Sequence, residues 1–246
     1  MTDKLPKLLK DAIEQNKPDV KVITENLKLP WLKLDLTFPN MPTYWPTYLE
    51  NIEGKDWRGQ WKFEEDSKSN YQVKDWNGGL LFGPQPHDKF LKTTQDIRFD
   101  VDEDSRCKKY RKDFKFNWYV NKSDLVRKWI GTIIPDEDLN LVNTYYIPPG
   151  GYVFPHKDYP HDGVGLAKIY IAAVWDEGNV FGMYGCGNIP IKQGDVFLLN
   201  NYTLPHWVYN GSNTKRCVID IGANLNSPQL KDLVETSFKK YFQNNE

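Results

Sequence analysis

Cysteine is scarce in this chain, and long apolar runs are missing. Three cysteines are present, Cys107, Cys186 and Cys217, and no CxxC pair occurs. This argues against a disulfide scaffold and a cysteine-rich zinc site, and it predicts a reducing, cytoplasmic location. No apolar run approaches the roughly 18 residues of a membrane span. Charges interrupt the apolar positions at the N-terminus, so we expect neither a membrane segment nor a signal peptide.

A large excess of one charge is also missing. The chain carries 32 Lys and Arg against 33 Asp and Glu, a net charge of −1, which argues against a general nucleic-acid-binding protein. Enough apolar material for a core is present, because 39% of the 246 residues are hydrophobic and 14% are aromatic. We therefore predict one domain over residues 1–246 and leave its oligomeric state open.

Three parts are distinguished within that domain. Residues 1–135 are predicted to be an N-terminal elaboration that shapes the substrate side, and it begins with an amphipathic helix. Residues 136–225 are the motif-bearing core, and residues 226–246 are a C-terminal helix that opens at a Ser-Pro pair. A further helix through Leu125–Ile130 is expected before the core, with Ser123 as its cap.

The core consists of short apolar runs separated by Gly, Pro, Asn and Asp. The runs are Leu141–Ile147, Tyr152–Phe154, Ile169–Trp175, Val180–Tyr184, Val196–Leu199, Trp207–Tyr209 and Cys217–Ile221. The segment Asp176–Asn179 predicts a hairpin turn. Seven short strands in this spacing predict a mainly β fold with flanking helices, an antiparallel double sheet of the jelly-roll type.

Two of the four histidines lie in positions that suggest a metal site. His156 and Asp158 form an H-x-D triplet at the end of a predicted strand, and alternation directs both side chains to the same side. His206 begins another strand, which a double-sheet fold can bring beside the triplet. Two imidazoles and one carboxylate on one face of an octahedron are the ligand set of non-haem Fe(II) oxygenases.

Arg216 adds a feature that a bare metal triad lacks. It lies ten residues after His206, on the next predicted strand. A buried arginine there can hold a carboxylate through two parallel hydrogen bonds, as a dicarboxylic co-substrate such as 2-oxoglutarate requires at its far end.

Two segments of the core resemble the aspartyl/asparaginyl β-hydroxylase family. Thr144–Asp158, with the sequence TYYIPPGGYVFPHKD, resembles the family's L-x-P-G-x-x-x-x-P-H-x-D stretch. The segment from Gly194 through His206 to Arg216 resembles its G-x-x-x-x-F-D-D-x-x-x-H block with the later arginine. The resemblance covers residues 141–225 and implies a double-stranded β-helix (cupin-like) and a 2-oxoglutarate- and Fe(II)-dependent dioxygenase.

The resemblance also implies residue roles. The triad would ligate iron, and Arg216 would hold the distal carboxylate of 2-oxoglutarate, with the Tyr145 phenol near that carboxylate. Lys168 and Tyr170 match the family's R-x-H element, which lies near the iron-bound end of the co-substrate. Both are departures, because lysine lacks the bidentate geometry of arginine and a phenol is neutral.

The expected reaction is hydroxylation of an amino-acid-like C–H bond, in a free amino acid, a small molecule or an Asp/Asn side chain of a protein. It would use Fe(II), 2-oxoglutarate and O2, with ascorbate as a supporting reductant. Weaker candidates for substrate contact come from the N-terminal half of the chain: Trp76, Asn77, His87 and Arg98. Two alternatives stay open, a cupin-type metalloenzyme that does not use 2-oxoglutarate and a non-catalytic cupin-like binding protein.

Overall fold

The computed structural model describes nine segments of the chain. They are residues 5–15, 30–39, 61–66, 73–85, 115–120, 124–158, 166–201, 204–224 and 227–240. Three α-helices occur in them: α1 (Lys7–Gln15), α2 (Leu125–Gly131) and α3 (Pro228–Phe238). The strands before the core are β1 (Trp31–Thr37), β2 (Trp61–Asp66), β3 (Val73–Gln85) and β4 (Lys115–Trp118). The core strands are β5 (Leu139–Ile147), β6 (Tyr152–His156), β7 (Leu166–Val174), β8 (Asn179–Met183), β9 (Gly187–Asn188), β10 (Asp195–Leu199), β11 (His206–Asn210) and β12 (Arg216–Asn224).

The strands form two antiparallel groups that one long strand connects. The first group has the order β10-β7-β12-β5, with β1 added at its β10 edge, and the second has the order β6-β11-β8-β9. Strand β3 pairs with β5 of the first group and with β6 of the second. This is a jelly roll, as the sequence predicts, with helices at both ends of the chain.

Apolar side chains fill the space between the two groups. The inner cluster includes Ile147, Val153, Ala172, Phe181, Phe197, Val208 and Val218. Strand β12 is buried along most of its length. Because successive side chains of a strand point to opposite faces, its alternate residues lie in two different buried environments. Cys217, Ile219 and Ile221 belong to the outer cluster, whereas Arg216, Val218 and Asp220 line an internal cavity.

Helices cover the outer faces of both groups. The outer cluster of the first group contains Val126 and Ile130 of α2 and Leu230 of α3. Helix α1 contributes Leu5 and Leu9 to a third cluster with the aromatic residues Tyr152, Phe154, Tyr184 and Trp207 of the second group. The burial of apolar stripes therefore holds these short helices, which would be marginal alone.

The structure confirms the predicted fold class and corrects two local predictions. The cap of α2 is Asp124, whose Oδ1 accepts from the backbone N–H of Val126 at 2.9 Å, so the prediction of Ser123 is wrong by one residue. The segment Asp176–Asn179 does turn, but β7 pairs with β10 and β12 whereas β8 pairs with β9 and β11. It is therefore a crossing from one group to the other and not a hairpin.

Strands of the N-terminal part join the same sheet as the motif-bearing core. Pairing connects β1 to β10 and β3 to β5, and the predicted division near residue 135 stays a prediction. None of the helices in the described segments combines the length and apolar character that crossing a membrane requires.

Candidate metal centre

The predicted triad comes together where two strands of the second group meet. His156 ends β6, Asp158 follows two residues later, and His206 begins β11. The strands are antiparallel with His206 opposite His156. Asp158 Oδ1 lies 3.4 Å from His156 Nε2 and 3.8 Å from His206 Nε2. These three residues are the metal-ligating cluster found in the described part of the chain.

Neighbouring groups orient both imidazoles. His156 Nδ1 lies 2.7 Å from the Phe154 carbonyl oxygen, which can only accept, so Nδ1 donates and Nε2 is the ring nitrogen left for a metal. The His206 ring stacks on Phe181, with centroids 5.3 Å apart and planes 3° from parallel. The two imidazole centroids are 4.2 Å apart. Both Nε2 atoms therefore converge on the side of Asp158.

The protonation states suit metal binding. Burial lowers the pKa of His206 to about 3, and the neighbouring His156 acts in the same direction, so the His206 imidazole is neutral at physiological pH. Burial raises the pKa of the Asp158 carboxyl, but neighbouring groups, the Lys168 ammonium first among them, oppose this effect, so the pKa lies well below its usual range. The site thus presents the neutral imidazole of His206 and the carboxylate of Asp158 beside His156.

This donor set fits a divalent metal of the first transition row. Nitrogen and oxygen atoms that share one ion at about 2.1 Å are separated from one another by roughly 3–4 Å. The observed separations of 3.4 and 3.8 Å lie in that range. Imidazole and carboxylate donors suit iron, manganese and zinc, and two histidines with one carboxylate leave positions open.

The second oxygen of Asp158 faces other partners. Asn201 Nδ2 donates to Asp158 Oδ2 at 2.6 Å, and the Lys168 ammonium donates to the same oxygen. Lys168 Nζ also lies 2.8 Å from Asp220 Oδ2. One lysine therefore connects the triad to a carboxylate on β12.

Asp220 is buried, with 3% of its surface exposed. The Tyr145 hydroxyl donates to Asp220 Oδ2 at 3.0 Å, and Asn143 Nδ2 donates to the Tyr145 oxygen at 3.1 Å. Burial raises the pKa of Asp220, and Lys168 opposes that effect. Burial and then the charge of Asp220 raise the pKa of Tyr145, so its phenol stays neutral and donates.

Arg216 is a buried cation with spare donors. It is 2% exposed, and its guanidinium carbon lies 4.6 Å from the centroid of the Trp175 ring. Its NH2 group donates to the Tyr170 hydroxyl. Its NH1 and Nε atoms have no hydrogen-bond partner among the described residues. An unpaired charge in a buried site is costly, and an anion bound to these two donors would offset that cost.

One cavity of about 220 Å³ contains both the triad and Arg216. Its charged and polar lining is described above, and its apolar walls are Ile147, Val153, Phe181, Val208 and Val218. Small-molecule sites have this composition, with apolar walls and a few convergent polar groups.

The predicted co-substrate residues divide between two parts of this cavity. Lys168 contacts the carboxylates of Asp158 and Asp220, and the phenol of Tyr145 also donates to Asp220. The Tyr170 hydroxyl instead accepts from Arg216. The cavity thus contains the residues predicted for 2-oxoglutarate, and their roles toward it stay predictions.

The weaker candidates for substrate contact come from the N-terminal half of the chain. Trp76 and Asn77 belong to β3, where Asn77 pairs with Tyr146 of β5, and their side chains are outside what the structure describes. His87 and Arg98 also lie outside the described residues. Sequence reasoning assigned no role to Asn201 or Asp220. The period-two alternation of β12 was a signal for Asp220, because it places that residue on the same face as Arg216.

No protein-family model matches this chain, and no curated protein matches it. Solved structures do. A predicted oxalate decarboxylase from Thermotoga maritima is 27% identical over 36% of this chain and 70% of its own, with a TM-score of 0.28. An oxidoreductase of the 2OG-Fe(II) oxygenase family from Burkholderia pseudomallei is 8% identical over 84% and 90%, with a TM-score of 0.43. A prolyl-4-hydroxylase from Pseudomonas putida is 12% identical over 83% and 97%, with a TM-score of 0.41.

These three TM-scores lie below 0.5, so function is inferred here from the residues of the site. None of the three proteins is named as an aspartyl/asparaginyl hydroxylase, and that resemblance stays a prediction.

Proposed function

We propose that this chain is a 2-oxoglutarate- and Fe(II)-dependent dioxygenase that hydroxylates an amino-acid-like C–H bond. One observation carries the proposal: a His/Asp/His triad lines the same cavity as a buried arginine whose NH1 and Nε have no hydrogen-bond partner in the described segments. The triad alone would serve several metal-dependent reactions. The arginine adds a requirement for an anion, which a dicarboxylic co-substrate meets.

His156, Asp158 and His206 would hold the metal. Fe(II), when bound, would supply the chemistry with O2 and 2-oxoglutarate that no side chain of the cavity offers. The protein orients the three ligands through the hydrogen bond from His156 to Phe154, the stacking of Phe181 on His206 and the contacts to Asp158 Oδ2.

Arg216 would bind the distal carboxylate of 2-oxoglutarate. Tyr170 and Trp175 hold its guanidinium in place and leave NH1 and Nε for the ligand. The apolar walls of Ile147, Val208 and Val218 keep water from competing for those donors. The anchor is therefore preorganised before the co-substrate arrives.

The charge balance of the cavity also supports this ligand pair. With both carboxylates ionised, Asp158 and Asp220 balance Lys168 and Arg216, and the imidazole of His206 is neutral. A divalent metal together with a dianion adds no net charge to this sum. A metal alone would leave uncompensated charge in a buried site, which is unfavourable.

The substrate class rests on the motifs of residues 144–158 and 194–216, which resemble those of hydroxylases acting on Asp and Asn side chains. A free amino acid, a related small molecule or such a side chain in a protein would each present the required C–H bond. Strand β3 supports a substrate-side role for the N-terminal part, since it places Trp76 and Asn77 on the strand next to β5. His87 and Arg98 remain candidates for the same role.

The decisive experiment is succinate formation from 2-oxoglutarate by purified protein with Fe(II), ascorbate and O2. The substrate panel contains free amino acids and an Asp/Asn-containing peptide. We expect the wild-type protein to form succinate, and His206→Ala and Arg216→Met to lose this activity. Arg127→Met is the matched control, because Arg127 pairs with the exposed Asp136 at 3.5 Å and lies on α2, outside the cavity lining.

Each other result identifies an alternative. Metal binding without binding or consumption of 2-oxoglutarate would contradict the proposal in favour of a cupin-type metalloenzyme. A wild-type protein that binds neither metal nor 2-oxoglutarate would indicate a binding protein.

A further inference from the structure

The two oxygens of Asp158 have different surroundings. Oδ1 faces the imidazoles, 3.4 Å from His156 Nε2 and 3.8 Å from His206 Nε2. Oδ2 accepts from Asn201 Nδ2 at 2.6 Å and from the Lys168 ammonium. A carboxylate can bind a metal through one oxygen or through both. Here two donors already occupy the oxygen that is turned away from the imidazoles.

Lys168 is itself held from the other side. Its Nζ lies 2.8 Å from Asp220 Oδ2, which also accepts from the Tyr145 hydroxyl at 3.0 Å. These three residues lie on β7, β12 and β5, neighbouring strands of the first group, whereas Asp158 follows β6 of the second. The lysine therefore bridges the two groups of strands at the triad.

We propose that Lys168 and Asn201 are positioning residues that hold Asp158 Oδ2 through hydrogen bonds and keep it from the metal. Asp220 in turn holds Lys168 in place, so that only Oδ1 of Asp158 would bind the metal. The proposal deepens the function proposed above and rests on it for the identity of the metal. Its consequence is the number of open metal positions. Two histidines and one carboxylate oxygen leave three of six positions, whereas a bidentate carboxylate would leave two.

The proposed reaction would need three open positions on the metal, two for a chelating 2-oxo acid and one for O2. The role differs from the one implied by the family resemblance, in which Lys168 contacts the co-substrate itself. A lysine that contacts only the co-substrate would change 2-oxoglutarate affinity and leave the coordination of the metal alone. The two roles therefore predict different results for the same variant.

The test uses Mn²⁺ as the probe and measures how many water molecules it keeps. Water-proton relaxation reports exchangeable waters on bound Mn²⁺, and the electron paramagnetic resonance signal of free Mn²⁺ gives the bound fraction. Neither needs activity. The variants are Lys168→Met and Asn201→Leu, which remove the donors, and the double variant. The control is Lys33→Met, since Lys33 Nζ lies 2.6 Å from Asp195 in a similarly shielded pair on other strands.

We expect three waters on the wild-type protein and on Lys33→Met. In the double variant the freed Oδ2 should displace one water, so the inner-sphere relaxation per bound Mn²⁺ falls by about one third. Each single variant should shift in the same direction, which keeps the test independent of the double variant's folding. Circular dichroism of each protein shows that the strands are intact.

Three waters on every variant would overturn the positioning role while leaving the dioxygenase proposal intact. Two waters on the wild-type protein would do the same, because Asp158 would then be bidentate already. A rise in the Kd of 2-oxoglutarate with unchanged hydration would instead assign Lys168 to the co-substrate. Failure of the wild-type protein to bind Mn²⁺ or Fe(II) would defeat both proposals together.

Discussion

Gly182 allows an aromatic side chain to lie flat across a neighbouring strand. On β8 it stands opposite Trp207 of β11. A Cβ atom built on Gly182 would lie well under 3.0 Å from three atoms of the indole, a separation that real Cβ atoms essentially never show. The indole in turn packs edge-on against Tyr184, with centroids 5.3 Å apart. Gly182→Ala must therefore displace Trp207 from a filled site.

The expected cost follows from two opposing effects. Overpacking of a well-filled core costs about 1–3 kcal/mol. Replacing a strand glycine by alanine recovers roughly 0.5–1 kcal/mol of backbone entropy. We expect Gly182→Ala to lower the free energy of unfolding by about 1–2 kcal/mol.

A double-mutant cycle isolates the cause. Trp207→Ala alone should cost about 3–5 kcal/mol. In that background the methyl group meets no indole, so Gly182→Ala should become neutral or slightly stabilising. Urea denaturation followed by circular dichroism measures all four proteins. Gly131→Ala is the matched control, because a Cβ there meets nothing within 4 Å.

Additive costs would refute the reasoning, since they would show that Gly182 is required for something other than the indole. A second readout links the pair to the site. Trp207 directly follows the predicted metal ligand His206. A displaced indole should therefore weaken metal binding in the Gly182→Ala variant. The Gly131→Ala variant should bind the metal as tightly as the wild-type protein.

Three further predictions concern the helix cap, the buried thiol and the anion anchor. Asp124→Ala should lower the free energy of unfolding by about 1 kcal/mol through loss of the α2 cap. Ser227→Ala should cost less, because the Ser227 side chain makes no cap bond in α3. Equal losses of the two variants in denaturation would contradict this. Burial raises the pKa of Cys217 to about 12, so a thiol reagent at pH 8 should modify the half-buried Cys186 before Cys217. The free energy of unfolding should fall between pH 9 and 12, because the Cys217 thiol ionises there in the unfolded chain and not in the folded one. A Cys217→Ala variant that keeps this pH dependence would assign it to another group. Tyr170→Phe should raise the Kd of 2-oxoglutarate about tenfold in calorimetric titration by releasing the Arg216 guanidinium, and an unchanged Kd would show that Trp175 positions it alone.

Seven of the eight core strands were predictable because each contains a short apolar run between turn residues, whereas β9 (Gly187–Asn188) contains none. Alternation also explains why His156 and Asp158 share one side of the chain. The crossing at Asp176–Asn179 was not predictable in the same way, since a turn between two strands is locally similar whether they pair or enter different groups. Only the pairing of β8 with β11 distinguishes the two cases.

The cap of α2 was predicted one residue too early, and the contacts of Lys168 with Asp158 and Asp220 were not predicted, for another reason. Ser123 and Asp124 are both good caps, and the backbone geometry that chooses between them depends on how the helix docks. The link from Lys168 to Asp158 joins β7 to the end of β6, in different groups, so no sequence spacing encodes it. Side chains that act through another residue are thus harder to predict than ligands, which carry their own motif.

The pairing of β3 with both groups has a consequence for how the chain is made. A ribosome releases β3 before β5 and β6, its partners, and it releases β1 long before β10, with which Trp31 pairs through Leu199. Strand β3 can pair with β2 and β4 early, but β1 and the positions of β3 that pair with β5 and β6 must wait for strands that emerge later. Such high contact order slows folding and prolongs the exposure of strand edges. We expect chaperone binding during synthesis to concentrate on the stretch before β5.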